Sequence, residues 1–108
     1  MYKYNIRRII IAKQIKLIQE RPNTGVNWFD AADEFKNLKV SYVNDGKLDD
    51  QGVAMSNSDL TRTWTLVFTT NEDYEDFCAE SAQSTYWNDL MSYNVSNSIS
   101  HSLEADDI

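Results

Sequence analysis

The stretch from Leu60 to Met91 limits what this chain can fold into more than any other part of it. Within Leu60–Thr69, Trp64, Leu66 and Phe68 share one parity, and Thr61, Thr63, Thr65 and Thr69 share the other. Successive side chains of a strand point to opposite faces, so this is a strand with one face on a core and one face wet. A helix start follows. Thr70 can accept from the backbone of the first turn, and Asp73 stands where a capping-box acid stands. Tyr74, Phe77, Cys78 and Ser81 then share a helical face that Trp87, Leu90 and Met91 extend.

The rest of the chain is read around that segment. Residues 2–18 are β-rich, with Tyr2, Tyr4, Ile6 and Ile10 on one parity and Ile9, Ile11, Ile15 and Leu17 on the other. A bulge or a doubly buried strand accounts for the change, and consecutive isoleucines favour strand. A helix from Ile6 to Leu17 is the competitor. Pro22 to Gly25 is turn chemistry. Asn27 to Phe35 reads as a short helix capped by Asn27, with Trp28, Ala31, Ala32 and Phe35 as its apolar stripe. Leu38, Val40 and Tyr42 alternate, which predicts a second strand over 38–43 closed by the turn Asn44-Asp45-Gly46. Residues 46–59 are polar and predict a long loop or ragged hairpin tip. Asn94–Leu103 predicts a weak edge strand, and residues 104–108 an acidic tail.

The order is strand, short helix, strand, strand, long helix, strand. It predicts an α+β fold of the ferredoxin-like βαββαβ kind, one antiparallel sheet with two helices on one face. A chain of 108 residues supports one domain over 1–108, with a basic first strand over 1–21. The run Thr61–Thr65 followed by Glu72–Phe77 resembles the strand–helix junction of small dimeric α+β barrels. That resemblance implies a fold and an open sheet face able to pack on another copy, with no activity attached.

The charge is unevenly placed. Residues 1–21 carry six basic groups against Glu20, while the remainder carries four against sixteen acids. An acidic body repels phosphate over most of its surface, so direct nucleic-acid binding is disfavoured. One cysteine, Cys78, allows no intrachain disulfide and suits a reducing compartment. Met1–Asn5 lacks a signal-peptide layout, and Ile9–Ala12 is far shorter than the ~20 residues of a bilayer span. A cytoplasm or a virion is the expected place, with no membrane partner.

The residues offer no catalytic set and no cofactor or metal motif. His101 is the single histidine, and its neighbours Ser100 and Ser102 point to the other face of a strand. Cys78 reads as an inward-facing structural thiol beside Phe77. Glu72, Asp73, Glu75 and Asp76 crowd a helix start, where the dipole favours acids. Asp45-Gly46 and Asp49-Asp50 lack calcium-loop spacing, since Val43 stands where a ligand is needed. Asn94-Val95-Ser96 matches a glycosylation sequon by chance.

These features predict a non-enzymatic assembly protein acting through protein–protein contacts. Its contact candidates are Lys3, Arg7, Arg8, Lys13 and Lys16 on the basic segment and Thr61, Thr63, Thr65 and Thr69 on the open face. The texture of an acidic body, a basic arm and a Ser/Asn-rich end resembles small virion proteins of tailed phages, which implies a capsid or tail role. Two other readings compete. One is a small α+β barrel enzyme, a cofactor-free monooxygenase or isomerase, using Trp64, Tyr74 and His101 in an apolar cleft. The other is an acidic inhibitor that imitates nucleic acid.

Overall fold

The computed structural model describes residues 11–108. It contains β1 (Lys13–Glu20), α1 (Asp33–Asn44), β2 (Leu48–Met55), β3 (Thr61–Phe68), α2 (Asn71–Ala79), α3 (Ser81–Ser96) and β4 (Ser100–Asp107). The class is α+β. One antiparallel sheet runs in the order β2-β3-β1-β4, with three helices where two were expected.

The β3 reading holds in detail. Register places Phe68 opposite Lys13, Leu66 opposite Ile15, Trp64 opposite Leu17 and Arg62 opposite Gln19. These residues share the face that meets the helices. Ile15, Phe68, Phe35, Tyr42, Leu48 and Phe77 form its buried cluster. Thr61, Thr63 and Thr65 lie on the opposite face with Ile18, Lys16 and Val67, a face that no described helix covers. Thr70 caps α2 as expected, its Oγ1 accepting from the backbone N–H of Asp73 at 3.1 Å.

Several expectations are corrected. Residues 27–32 are irregular, and the first helix begins at Asp33. Residues 38–43 are helical rather than a strand, because Phe35, Leu38 and Tyr42 form the inward stripe while Val40 and Val43 are exposed. Asn44-Asp45-Gly46 is therefore a helix end. Gly46 takes φ 74°, its N–H donates to Val43 O, and Lys47 N–H donates to Tyr42 O at 2.9 Å.

Residues 48–55, expected as loop, are the edge strand β2, whose register shifts between Asp50 and Val53 at Gly52 (φ 77°). The 71–91 helix is two helices, broken at Glu80, whose ψ of 136° is extended. Finally, Asn94–Ser96 closes α3, the expected last strand begins only at Ser100, and the acidic tail supplies the second half of that strand, β4, paired along β1 and tied by Lys13 to Asp107 at 2.7 Å. Lys3, Arg7, Arg8 and the first part of the 2–18 question lie outside the described residues; Lys13–Leu17 is strand.

Candidate functional site

The helices do not seal the sheet. A cleft of about 430 Å³ opens between them, walled by Leu17, Trp64, Leu66 and Leu103 of the sheet. Phe68, 1% exposed, forms its floor with Phe77 (ring centroids 5.1 Å apart) and Tyr74 (5.4 Å). The break at Glu80 redirects the chain so that α3 lends Gln83, Ser84, Trp87 and Asn88, one stripe of two successive turns. Leu103 is 46% exposed although it faces the helices, because the cleft opens on that side.

One wall is cationic. Lys39 Nζ stands 3.9 Å from the Trp64 ring centroid and 3.1 Å from Asp50 Oδ2, with its side chain 12% exposed. A desolvated cation–π contact of this kind is worth about 2 kcal/mol, and Asp50 matches the charge. Tyr86 stacks flat on Phe35, centroids 3.8 Å apart and planes within 6°. Lys39, Phe35, Trp64 and Tyr86 thus divide the first cleft from a second of about 450 Å³ under α1, where Arg62, Phe29 and Asp50 take over the lining.

Two tyrosine hydroxyls are pushed up to about 12. Burial is the main cause at Tyr42, followed by the Glu80 carboxylate that accepts from it at 3.3 Å. Burial again leads at Tyr74, followed by the Cys78 thiol beside it. An unfolded chain ionises tyrosine near pH ~10. The folded state holds these protons more tightly, so their contribution is complete below about pH 10 and is lost as pH rises through about 12. Alkaline unfolding followed by near-ultraviolet circular dichroism should fall in that window, and Tyr42→Phe should move its midpoint upward. An unmoved midpoint, with all tyrosines titrating as free ones, would contradict this.

The positions singled out in the sequence are scattered. Trp64, Tyr74 and Cys78 meet in the first cleft. His101 does not line it; exposed on β4, it meets Trp87 edge to face with centroids 6.0 Å apart. Thr69 lies past the end of β3, and its hydroxyl donates to Gly46 O at 2.7 Å, so it leaves the set of open-face threonines. Lys13 faces the helix side and is bound to Asp107. Lys16 stays on the open face, opposite Thr65 and Glu104. Asn94 is fully buried in α3, which closes the sequon to modification. Lys39, Arg62 and Tyr86 are not among the residues singled out from the sequence, and Phe35 is there only as part of an apolar helix stripe. A helical reading of 33–44 would have put Phe35 and Lys39 four residues apart on one face.

Three solved structures share this arrangement. A Bacteroides thetaiotaomicron protein of unknown function, described as a possible oxidoreductase, superposes with TM-score 0.66 at 9% identity over 93% of this chain and all of its own. A Shewanella oneidensis protein gives 0.57 at 12% over 91% and 94%, and a conserved Methanosarcina mazei protein 0.55 at 11% over 90% and 92%. The likeness is one of fold. No protein-family model and no curated protein matches the chain. Among the described residues no helix is long and apolar enough to cross a membrane, and no group of three or more His, Cys, Asp or Glu could hold a metal ion.

Proposed function

We propose that the chain is a binding module that takes a flat, uncharged aromatic molecule into the cleft between sheet and helices. The cleft itself carries the reading. Its 430 Å³ falls in the range of small-molecule sites, about 300–1,000 Å³, and few polar groups interrupt an aromatic lining. Trp64 and Trp87 offer faces for stacking. Tyr74, protonated at neutral pH, supplies a donor, and the Lys39 charge is already met by Asp50.

An α+β fold with helices over an antiparallel sheet suits the same reading, and we read its layout as a variant of the ferredoxin-like one with the long helix split in two. Each strand–helix–strand passage skips one place in the sheet, β1 to β2 across β3 and β3 to β4 across β1. The barrel-enzyme reading places His101 in the cleft with Trp64 and Tyr74, and that residue lies off the lining, so the proposal is of binding without catalysis. Titration with 2-naphthol should quench tryptophan emission saturably. Trp64→Ala and Trp87→Ala, checked for native circular dichroism, should each weaken binding at least tenfold, about 1.4 kcal/mol. Unchanged affinity in both variants, or no saturation, would reject the module.

The bare sheet face favours a second reading, the assembly role. Among the described residues it presents Glu20, Asp49, Glu104 and Asp106 against Lys16. Two such faces repel each other. The matching occupant is the 1–10 segment of a second copy, which carries Lys3, Arg7 and Arg8 and no acid. Sedimentation should then show association that weakens with salt and is lost in the Glu104→Gln/Asp106→Asn variant; a salt-independent monomer would end this reading. A place in a phage virion would be one instance of such assembly.

A further inference from the structure

The second cleft holds a cation without a counter-charge. Of its basic groups, Lys36 is 3.1 Å from Asp30 and Lys39 is 3.1 Å from Asp50. Arg62 meets no carboxylate among the described residues. Its Nη2 donates only a long 3.4 Å bond to Phe29 O, and its buried Nε has no partner. Arg21 shares its aromatic neighbour: the two guanidinium carbons lie 4.7 and 4.8 Å from the centroid of the same Trp28 ring, a cation–π contact for each. Burial pulls the Arg62 guanidinium below its ordinary range, Tyr86 pushes it back up, and Arg21 pulls it down again more weakly. Apart from the face of Trp28, no described group answers this charge, and cations removed from water are normally paired with an anion.

We propose that Arg62 anchors a binding site for a small monocarboxylate with an aromatic or branched apolar body. Nε and Nη2 form one edge of the guanidinium, and that edge matches the two oxygens of a carboxylate. Phe29, Val40 and Tyr86 line the same cleft and would cover the apolar body. The charge count sets the valence. Three cations and two carboxylates line the cleft, leaving one positive charge to answer. A phosphate dianion would exceed it and face Asp30 and Asp50. Seating the carboxylate requires the Phe29 carbonyl to release Nη2 from that long 3.4 Å bond.

The test follows the Arg62 Nε–H resonance of the intact protein by ¹⁵N–¹H correlation during titration with 3-phenylpropionate, and separately with inorganic phosphate. A saturable shift with phenylpropionate, weakening as salt rises and absent with phosphate, is expected. Arg62→Gln should lose at least tenfold in phenylpropionate affinity while 2-naphthol binding is unchanged, which keeps this site separate from the first cleft. No saturation by ~10 mM, where binding energy is below about 3 kcal/mol, would overturn the proposal. So would a response to phosphate alone. An Nε proton already protected from exchange in the free protein would overturn it too, because Gln19, the cross-strand neighbour, would then be serving the charge internally.

Discussion

Replacing Phe68 by alanine is expected to cost about 3–5 kcal/mol, the range for a fully buried phenylalanine. The residue is 1% exposed, and its ring touches the aromatic groups of α2, with Tyr74 and Phe77 both within 5.4 Å, centroid to centroid. It sits where β3 meets both neighbours, opposite Lys13 of β1 and Leu48 of β2. Truncation would join the void to the cleft above, so the surrounding groups could not close over it. Urea unfolding should show the loss in the midpoint with little change in slope. A cost below ~1.5 kcal/mol would mean that the helix layer collapses to fill the space, and that Phe68 is not the floor described above.

The second large effect belongs to a polar pair. Gln19 and Asn94 are both fully buried, and Asn94 Nδ2 donates to Gln19 Oε1 at 3.1 Å. The bond ties the middle of the sheet to α3. Gln19→Met alone leaves Asn94 without its partner, and Asn94→Leu alone strands Gln19; each should cost about 1–3 kcal/mol. The double variant replaces both by apolar groups of similar shape and should recover most of that loss. Additive costs in the double-mutant cycle would show that the two amides are not coupled. The pair still leaves Gln19 Nε2 and Asn94 Oδ1 without partners, so its removal as a unit is cheaper than its disruption.

Sequence periodicity recovered β3 and the α2 cap because both signals are local. Alternation of Trp64, Leu66 and Phe68 needs only the pleat, and Thr70 needs only the N–H groups that follow it. It misread 38–43 because Leu38, Val40 and Tyr42 satisfy a period of 2 while Phe35, Leu38 and Tyr42 satisfy the helical period, and β-branched Val40 and Val43 tipped the balance. Packing decides: Phe35 and Tyr42 both meet Phe77 edge to face. β2 reads as loop, and the second half of β4 as tail beyond the expected edge strand, because edge strands tolerate acids, here Asp49, Asp50, Glu104, Asp106 and Asp107. The clefts were illegible for another reason. Lys39, Arg62 and Tyr86 come from three elements, and only the sheet register and the break at Glu80 bring them near one another.

The central place of β1 has a consequence for how the chain is made. It lies between β3 and β4, so it leaves the ribosome before either neighbour exists. The β2–β3 hairpin can close by itself and then capture β1 on one side. The other side, a row of free peptide groups beside Ile15 and Leu17, stays open until Ser100–Asp107 has been synthesised. Such an edge pairs readily with a like edge on a neighbouring nascent chain. The acids of β4 therefore matter before folding as well as after it: they keep the strand that must close the sheet dissolved until β1 receives it.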